Sequence, residues 1–123
     1  MTDQEPNPNE REFDLAERTA AFGEAAIALA KRLPRGPVND TIVSQMVRSS
    51  TSVGANYCEA DDADSKKDFR YKIGICRREA KETKHWLRMA AAAEDGLRDD
   101  ARTLWREAHE LVLIFAKIGR SSK

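Results

Sequence analysis

The sequence predicts an all-α protein, an antiparallel up-down four-helix bundle, and three observations support this fold class. Apolar residues recur at alternating steps of three and four along four separate segments, which is the spacing of an amphipathic helix. Capping or helix-breaking residues separate these segments, and the connections are short, as in antiparallel bundles. No run of alternating apolar and polar residues predicts a strand. At 123 residues the chain is long enough for one domain with a single core.

The first predicted helix follows a polar tail. Residues 1–8 contain Pro6 and Pro8 and too few apolar side chains to order the chain, so we expect a disordered N-terminal tail there. The bundle is predicted over residues 9–119, with a C-terminal tail over residues 120–123. Pro34 should end the first helix, because proline lacks a backbone donor and restricts the residue before it. The inward stripe of this helix is Leu15, Thr19, Phe22, Ala26, Leu29 and Leu33.

Two helices are predicted on either side of the polar segment ADDADS, residues 60–65. The second helix should start after Asn39, a residue type that caps helix N-termini. Ser65 and Asp68 resemble a capping box for the third. The inward stripe of the second helix is Val43, Met46, Val47, Ser50, Val53, Gly54 and Tyr57. That of the third is Phe69, Ile73, Cys76, Ala80, Thr83, Leu87 and Ala90.

The fourth predicted helix lies between two glycines. Gly96 is expected to end the third helix as the residue after its C-cap, and Asp99 or Asp100 to cap the fourth. Gly119 is expected to close it. Its inward stripe is Leu104, Ala108, Leu111, Phe115 and Ile118.

Composition limits the function classes. Acidic and basic residues balance at 21 each, so the net charge does not favour nucleic acid or membrane, although a local patch is compatible with a neutral total. The acidic N-terminus is unlike a secretory signal, and the apolar runs are too short to cross a bilayer core of about 30 Å. We therefore expect a cytoplasmic location and no membrane partner. Cys58 and Cys76 are expected to be reduced, buried thiols rather than a disulfide.

The third predicted helix carries more apolar surface than one side of a small bundle buries. Four apolar side chains lie well outside its inward stripe on a helical wheel: Tyr71, Ile75, Trp86 and Met89. A contiguous patch with Trp and Tyr is typical of a subunit interface, and Glu79 and Glu82 lie inside it. The alternative is that neighbouring helices wrap further round this helix, or that the aromatic rings lie singly on the surface.

A basic stripe lies on the opposite flank of the third helix. It consists of Lys66, Arg70, Arg77, Lys81, Lys84 and Arg88. One interpretation is a solvated face with carboxylates from neighbouring helices nearby. The other is a surface that follows a nucleic acid backbone, where spaced cations displace counterions.

The stretch SVGANYCEA, residues 52–60, combines a packing signal with a polar row. Gly54 permits close approach of another helix, at a cost of about 1 kcal/mol in helix propensity relative to Ala. Arg48, Ser52 and Glu59 share the far side of the wheel, with Asn56 at its margin. This row is either solvated or a polar contact between subunits.

Residues 48–89, RSSTSVGANYCEADDADSKKDFRYKIGICRREAKETKHWLRM, resemble the signature of the bacterial four-helix-bundle proteins also called 23S rRNA intervening-sequence proteins. The matching positions are Arg48, Ser52, Val53, Ala55, Asn56, Glu59, Ala60, Ser65, Asp68, Phe69, Glu79, Glu82, Trp86 and Leu87. The resemblance implies a ring-like homopentamer with no established enzymatic activity. Some members are encoded within intervening sequences of ribosomal RNA genes. An accessory protein of diversity-generating retroelements, similar in fold, binds a reverse transcriptase and nucleic acid.

Enzyme motifs are incomplete. Glu82 and His85 have the spacing with which di-iron bundles present metal ligands, but a second pair is missing, because Arg106 stands three residues before His109. No glycine-rich phosphate loop or nucleophile elbow occurs. We expect no catalytic residue, metal or cofactor. The sequence therefore predicts a non-enzymatic homo-oligomer, a pentamer, acting as scaffold or adaptor, and the alternative is an accessory protein that binds nucleic acid or reverse transcriptase through the basic stripe.

Overall fold

The protein is described by a computed structural model over residues 14–122, and this part of the chain forms four helices. They are α1 (Leu15–Ala30), α2 (Pro37–Asp61), α3 (Lys66–Ala93) and α4 (Arg98–Ser121), with a 3₁₀ turn over Asp95–Leu97. Residues 14–122 contain no strand, so the all-α fold class is confirmed. The predicted tail at residues 1–8 and the predicted start of the bundle at residue 9 lie outside the described residues.

Contacts between the helices show that neighbours in sequence run antiparallel. Residues late in α2 contact residues early in α3, as in the pair Glu59 and Lys72, and residues earlier in α2 contact later ones, as in Ser49 and Thr83. Helix α3 packs against both α2 and α4, and α1 packs mainly against α2. Arg18 joins α1 to α4 with two hydrogen bonds to Glu107, both of 2.8 Å.

The junction between α1 and α2 differs from the prediction. Helix α1 ends at Ala30, four residues before Pro34, and a tight turn returns the chain so that Leu33 is still buried. Helix α2 starts at Pro37, since proline is favoured in the first helical turn, where its missing donor is not needed. The prediction that Asn39 caps α2 is wrong. Its amide donates to the carbonyl oxygen of Pro34 at 2.8 Å and so stabilises the turn.

The other boundaries are partly as predicted. The Ser65 hydroxyl accepts a hydrogen bond from the Asp68 amide at 3.0 Å, which confirms the cap of α3. Helix α3 ends at Ala93, and Gly96 does not adopt the left-handed conformation, so it is not a left-handed cap. Helix α4 starts at Arg98 with both predicted capping aspartates inside its first turn. The prediction that Gly119 closes α4 is also wrong, because the helix continues to Ser121.

The core confirms most of the predicted stripes. Every stripe residue of α1 is buried, and so are those of α3 and α4 except Phe69 and Ile118, which are half-buried. Helix α2 differs because it lies between α1 and α3 and buries two sides. Its buried residues are Ile42, Met46, Ser49, Ser50, Val53 and Ala60.

Gly54 allows the close approach that the sequence predicts. A Cβ atom at this position would lie 3.4 Å from the hydroxyl oxygen of Thr19 on α1. Thr19 is itself buried, and its hydroxyl donates to the carbonyl oxygen of Leu15 at 2.6 Å. Helices α1 and α2 therefore pack closely at this position, but an added methyl group would make only ordinary van der Waals contacts, so the packing does not require a glycine.

The two cysteines differ. Cys76 is a buried free thiol, as predicted, and its Sγ atom lies 3.5 Å from the carbonyl oxygen of Val53. Burial raises the pKa of Cys76 to about 12. The prediction that Cys58 is buried is wrong, because this residue borders the depression between α1 and α2 and is exposed.

Candidate functional site

A guanidinium and two carboxylates meet where α2 packs against α3. Arg48 of α2 donates from Nη1 to Glu79 at 3.1 Å and from Nη2 to Glu82, and its Nε donates to Gln45 at 3.0 Å. The Arg48 side chain is 48% exposed, whereas that of Glu79 is 19% exposed. Sequence reasoning singled out Arg48 and the two glutamates separately, and the structure brings them together. Two carboxylates against one guanidinium leave one negative charge.

Trp86 extends this cluster along α3. Its indole Nε1 donates to the Glu82 carboxylate at 2.8 Å, so the same carboxylate accepts from both Trp86 and Arg48. The ring is half-buried against the core and contacts His85 edge-on, with ring centroids 5.0 Å apart. These contacts hold Trp86 in one orientation.

The polar row of α2 continues toward its C-terminal end. Asn56 donates from its amide to the carbonyl oxygen of Ser52 at 2.9 Å and to its hydroxyl at 3.0 Å. Glu59 forms an ion pair with Lys72 of α3 at 3.2 Å, and this hydrogen bond raises the pKa of Lys72. Because Arg48 and Glu59 both reach α3, the row lies along the seam between the two helices.

The predicted apolar patch is only partly covered by its own chain. Tyr71 is 60% exposed, and Ile75 is half-buried. Trp86 and Met89 are also half-buried, but they pack against the core. Together with the polar row, these residues form a surface that we call the α2–α3 face. It consists of Arg48, Ser52, Asn56, Glu59, Tyr71, Ile75, Glu79, Glu82, Trp86 and Met89. That this face is a subunit interface stays a prediction.

A pair of buried hydroxyl groups lies behind this face. The Thr83 hydroxyl is 2.8 Å from the hydroxyl of Ser49 and 2.8 Å from the carbonyl oxygen of Glu79. Both side chains are fully buried, and within residues 14–122 no buried polar side-chain atom lacks a partner. Sequence reasoning missed Ser49, although its place one turn from the inward position Val53 is the signal that could have found it.

The basic stripe of α3 faces α4. Arg70 and Arg77 surround one depression together with Arg120 of α4, and Arg88 borders another with further arginines of α4. None of the six stripe residues has an ion-pair partner among residues 14–122. Within this part of the chain no carboxylate lies at ion-pair distance from the stripe, and both interpretations, a solvated face or a nucleic-acid surface, stay predictions.

Lys84 contacts an aromatic pair on α4. Its ammonium group lies 4.4 Å from the centre of the Trp105 ring and 3.0 Å from Nδ1 of His109. The rings of Trp105 and His109 stack at an interplanar angle of 9°. Sequence reasoning did not connect Trp105 with the stripe, because the connection depends on the register between α3 and α4.

The residues that suggested a metal site have other partners. The Glu82 carboxylate accepts from Arg48 and Trp86, and His85 packs on Trp86. The part of the chain from 14 to 122 holds no group of three side chains that could bind a metal ion. None of the helices described in that range is long and apolar enough to cross a membrane.

Residues 11–117 match the family model described as 23S rRNA-intervening sequence protein. The chain belongs to this family. A crystal structure of a protein of unknown function from the S23 ribosomal protein family of Bacteroides thetaiotaomicron VPI-5482 is similar, with 30% sequence identity and a TM-score of 0.73. The similarity covers 85% of this chain and 96% of that one. No curated protein matches the chain. The family match includes both flanks of α3.

Proposed function

We propose that this member of the 23S rRNA-intervening sequence protein family is a non-enzymatic scaffold or adaptor that assembles into a ring-like homopentamer through its α2–α3 face. The observation that carries the proposal is Tyr71, which is 60% exposed beside the half-buried Ile75. Tyr is enriched at interface centres, where its ring supplies contact area and its hydroxyl a polar contact.

The polar part of the face suits burial against a second subunit. A charge that becomes buried must be paired, and Arg48, Glu79 and Glu82 are already paired within the subunit. The single surplus negative charge fits one cation of the neighbouring subunit. A closed ring requires that the face meets a different surface of the next copy, so the neighbour supplies that cation from outside its own α2–α3 face.

The mass of the full chain in solution tests this proposal. The chain has a mass of 13.8 kDa, so a pentamer has five times 13.8, or 69 kDa. Light scattering at micromolar concentration should give this mass. A monomer mass at that concentration would remove the proposal.

A pair of matched variants locates the contact. Tyr71→Glu should shift the protein to smaller species, because it places a charge in the interface. Leu113→Glu on α4 is the control, since Leu113 is 51% exposed but lies off the face. If both variants dissociate, α4 supplies the second surface of the ring, and if only the Leu113 variant dissociates, the α2–α3 face is not part of the interface.

A second candidate function is binding of nucleic acid, or of a reverse transcriptase, through the basic stripe. The observation that favours it is the absence of ion-pair partners for Arg77 and Lys81, and for the rest of the stripe, among residues 14–122. Cations that are free of carboxylates are available to phosphates, and such binding weakens steeply with salt.

Fluorescence anisotropy with a labelled single-stranded RNA tests the second candidate. Binding should be lost in the double variant Arg77→Glu, Lys81→Glu. It should persist in the control Lys31→Glu, Arg35→Glu, which reverses two exposed charges near the junction of α1 and α2. No binding by the unaltered protein even at low salt would contradict this function.

A further inference from the structure

A cleft of about 400 Å³ opens between the C-terminal end of α3 and the N-terminal half of α4. Its floor is apolar, with Leu87 and Ala101 buried beneath it and the indole of Trp105 at one side. Its rim carries four arginines: Arg88, Arg98, Arg102 and Arg106. The volume is in the range of small-molecule sites, which bury an apolar body and orient it with a few polar groups.

The arginines of the rim repel one another. Arg98, Arg102 and Arg106 follow at intervals of four along α4, so their side chains are neighbours on one helix surface, and like charges at this spacing are destabilising. Arg98 also stands at the positive N-terminal end of α4, where a cation is disfavoured. Helix α3 adds Arg88 to the same rim rather than a carboxylate.

Carboxylates of the described residues relieve little of this repulsion. Arg98 pairs with Asp95 at 3.0 Å, and both side chains are largely exposed. Arg88, Arg102 and Arg106 have no ion-pair partner among residues 14–122. A bound anion would supply the missing negative charge.

The apolar side of the cleft is held in place before any ligand arrives. Trp105 packs against the core, and its ring contacts Lys84 and His109. We call the apolar surface between this indole and the neighbouring small alanine side chains the slot, because a flat ring can lie against it. The cleft thus combines a flat apolar slot with guanidinium groups, which bind phosphate oxygens in pairs and stack on planar rings.

We propose that this cleft binds a nucleoside phosphate, with the phosphates on the rim arginines and the base in the slot beside Trp105. The source is either a free nucleotide or the terminal nucleotide of a strand, and both present the same chemistry. The proposal goes beyond the assembly and stripe functions and does not depend on either, because the cleft lies within one subunit and at one end of the stripe.

Calorimetric titration of the full chain tests the proposal, with ADP as the probe. Adenosine lacks the phosphates and pyrophosphate lacks the base, so each should bind at least about tenfold more weakly than ADP. Arg102→Gln should weaken ADP binding by about tenfold, the effect of losing one hydrogen bond to a charged group. The control Arg78→Gln alters an exposed arginine of α3 outside the cleft and should leave ADP binding unchanged.

Thermal unfolding gives a second readout that a merely structural arginine would not produce. Without ligand, Arg102→Gln should melt at the same temperature as the unaltered protein or higher, because repulsion on the rim is reduced. With the same concentration of ADP, the unaltered protein should gain more stability than the variant, because the variant binds ADP about tenfold more weakly. A lower melting temperature of the ligand-free variant would contradict the repulsion on which the proposal rests.

Three binding results would overturn the proposal. One is no saturable binding of ADP. Another is binding of pyrophosphate as tightly as ADP, which would show a phosphate site without a base. The third is binding of a ten-nucleotide single strand without binding of ADP, which would assign the arginines to the stripe. Loss of the oligomer or of RNA binding would leave the ADP results unaffected, so failure of each function can be told apart.

Discussion

The two sides of α3 differ in whether their charged side chains have ion-pair partners. Toward α2, the guanidinium of Arg48 is matched by Glu79 and Glu82. Toward α4, Arg77 and Lys81 have no carboxylate partner within residues 14–122. A side whose charges are paired except for one surplus carboxylate is better suited to burial against protein than a side of unpaired cations, since less desolvation is left uncompensated. A side that leaves its cations unmatched is suited to an anion, so one helix can serve two different contacts.

Removal of the tryptophan on each side should give the largest effects. Trp86→Ala should reduce the free energy of unfolding by about 3 kcal/mol, because the variant loses core packing and leaves Glu82 without one donor. Trp105→Ala should cost less, about 2 kcal/mol, since part of the ring lines the cleft. Urea unfolding measures both. A larger loss for Trp105 would mean that the α4 side contributes more to stability.

Removal of one arginine from each side sharpens the comparison. Arg48→Ala leaves the mostly buried Glu79 carboxylate without its cation, so we expect a loss of about 1–2 kcal/mol in the free energy of unfolding. Arg102→Ala should change it by less than about 0.5 kcal/mol. Equal losses in chemical denaturation would show that the α2 side is no better matched than the α4 side.

Alkaline pH tests the buried core between the two sides of α3, where Cys76 lies. Burial raises the pKa of Cys76 from 9.0 to about 12, so from pH 9 to 12 the folded protein keeps a proton that the unfolded chain releases. Stability therefore falls as pH rises through this range, by about 1 kcal/mol between pH 8 and 10. Cys76→Ala should lose this part of the decline, whereas the exposed Cys58→Ala should keep it. Tyr57, whose pKa burial also raises, adds its own decline above pH 10.

Single charge reversals should give the smallest effects. Glu59→Lys breaks the ion pair with Lys72 and places two cations side by side, so we expect a small loss of stability that shrinks with added salt. Lys81→Glu removes an unpaired cation and should be neutral within about 0.5 kcal/mol or slightly stabilising. Melting temperatures at low and high salt distinguish the two. A salt-sensitive loss in the Lys81 variant would reveal a partner on the α4 side.

The sequence was sufficient for the number of helices and for most inward positions, because a three-four repeat such as Ile73, Cys76 and Ala80 depends only on helix geometry. It was insufficient where two local signals compete. Asn39 and Pro37 both indicate the start of α2, and the proline prevails. Exposure of Cys58 depends on which neighbours α2 has, and no local pattern contains that information.

The residues of the site on α2 and on α3 were predictable separately, but the contacts between them were not. Arg48 and Glu82 are 34 residues apart, and their contact follows from the register between α2 and α3, which periodicity alone leaves open. The arginine-rimmed cleft was missed for the same reason, since it needs α3 and α4 side by side. Its local signal was present in the row Arg98, Arg102 and Arg106.

The two hydrogen bonds from the Arg18 guanidinium to the Glu107 carboxylate hold α1 beside α4. With four helices alternating in direction, Asp14 and Ser122 therefore emerge at the same pole of the molecule, and the connection between α3 and α4 lies at the opposite pole. A fluorescent protein fused beyond either of these residues would crowd one pole alone and leave the arginine-rimmed cleft unobstructed. A joining peptide between those two positions would likewise permit a circular permutant opened between α2 and α3.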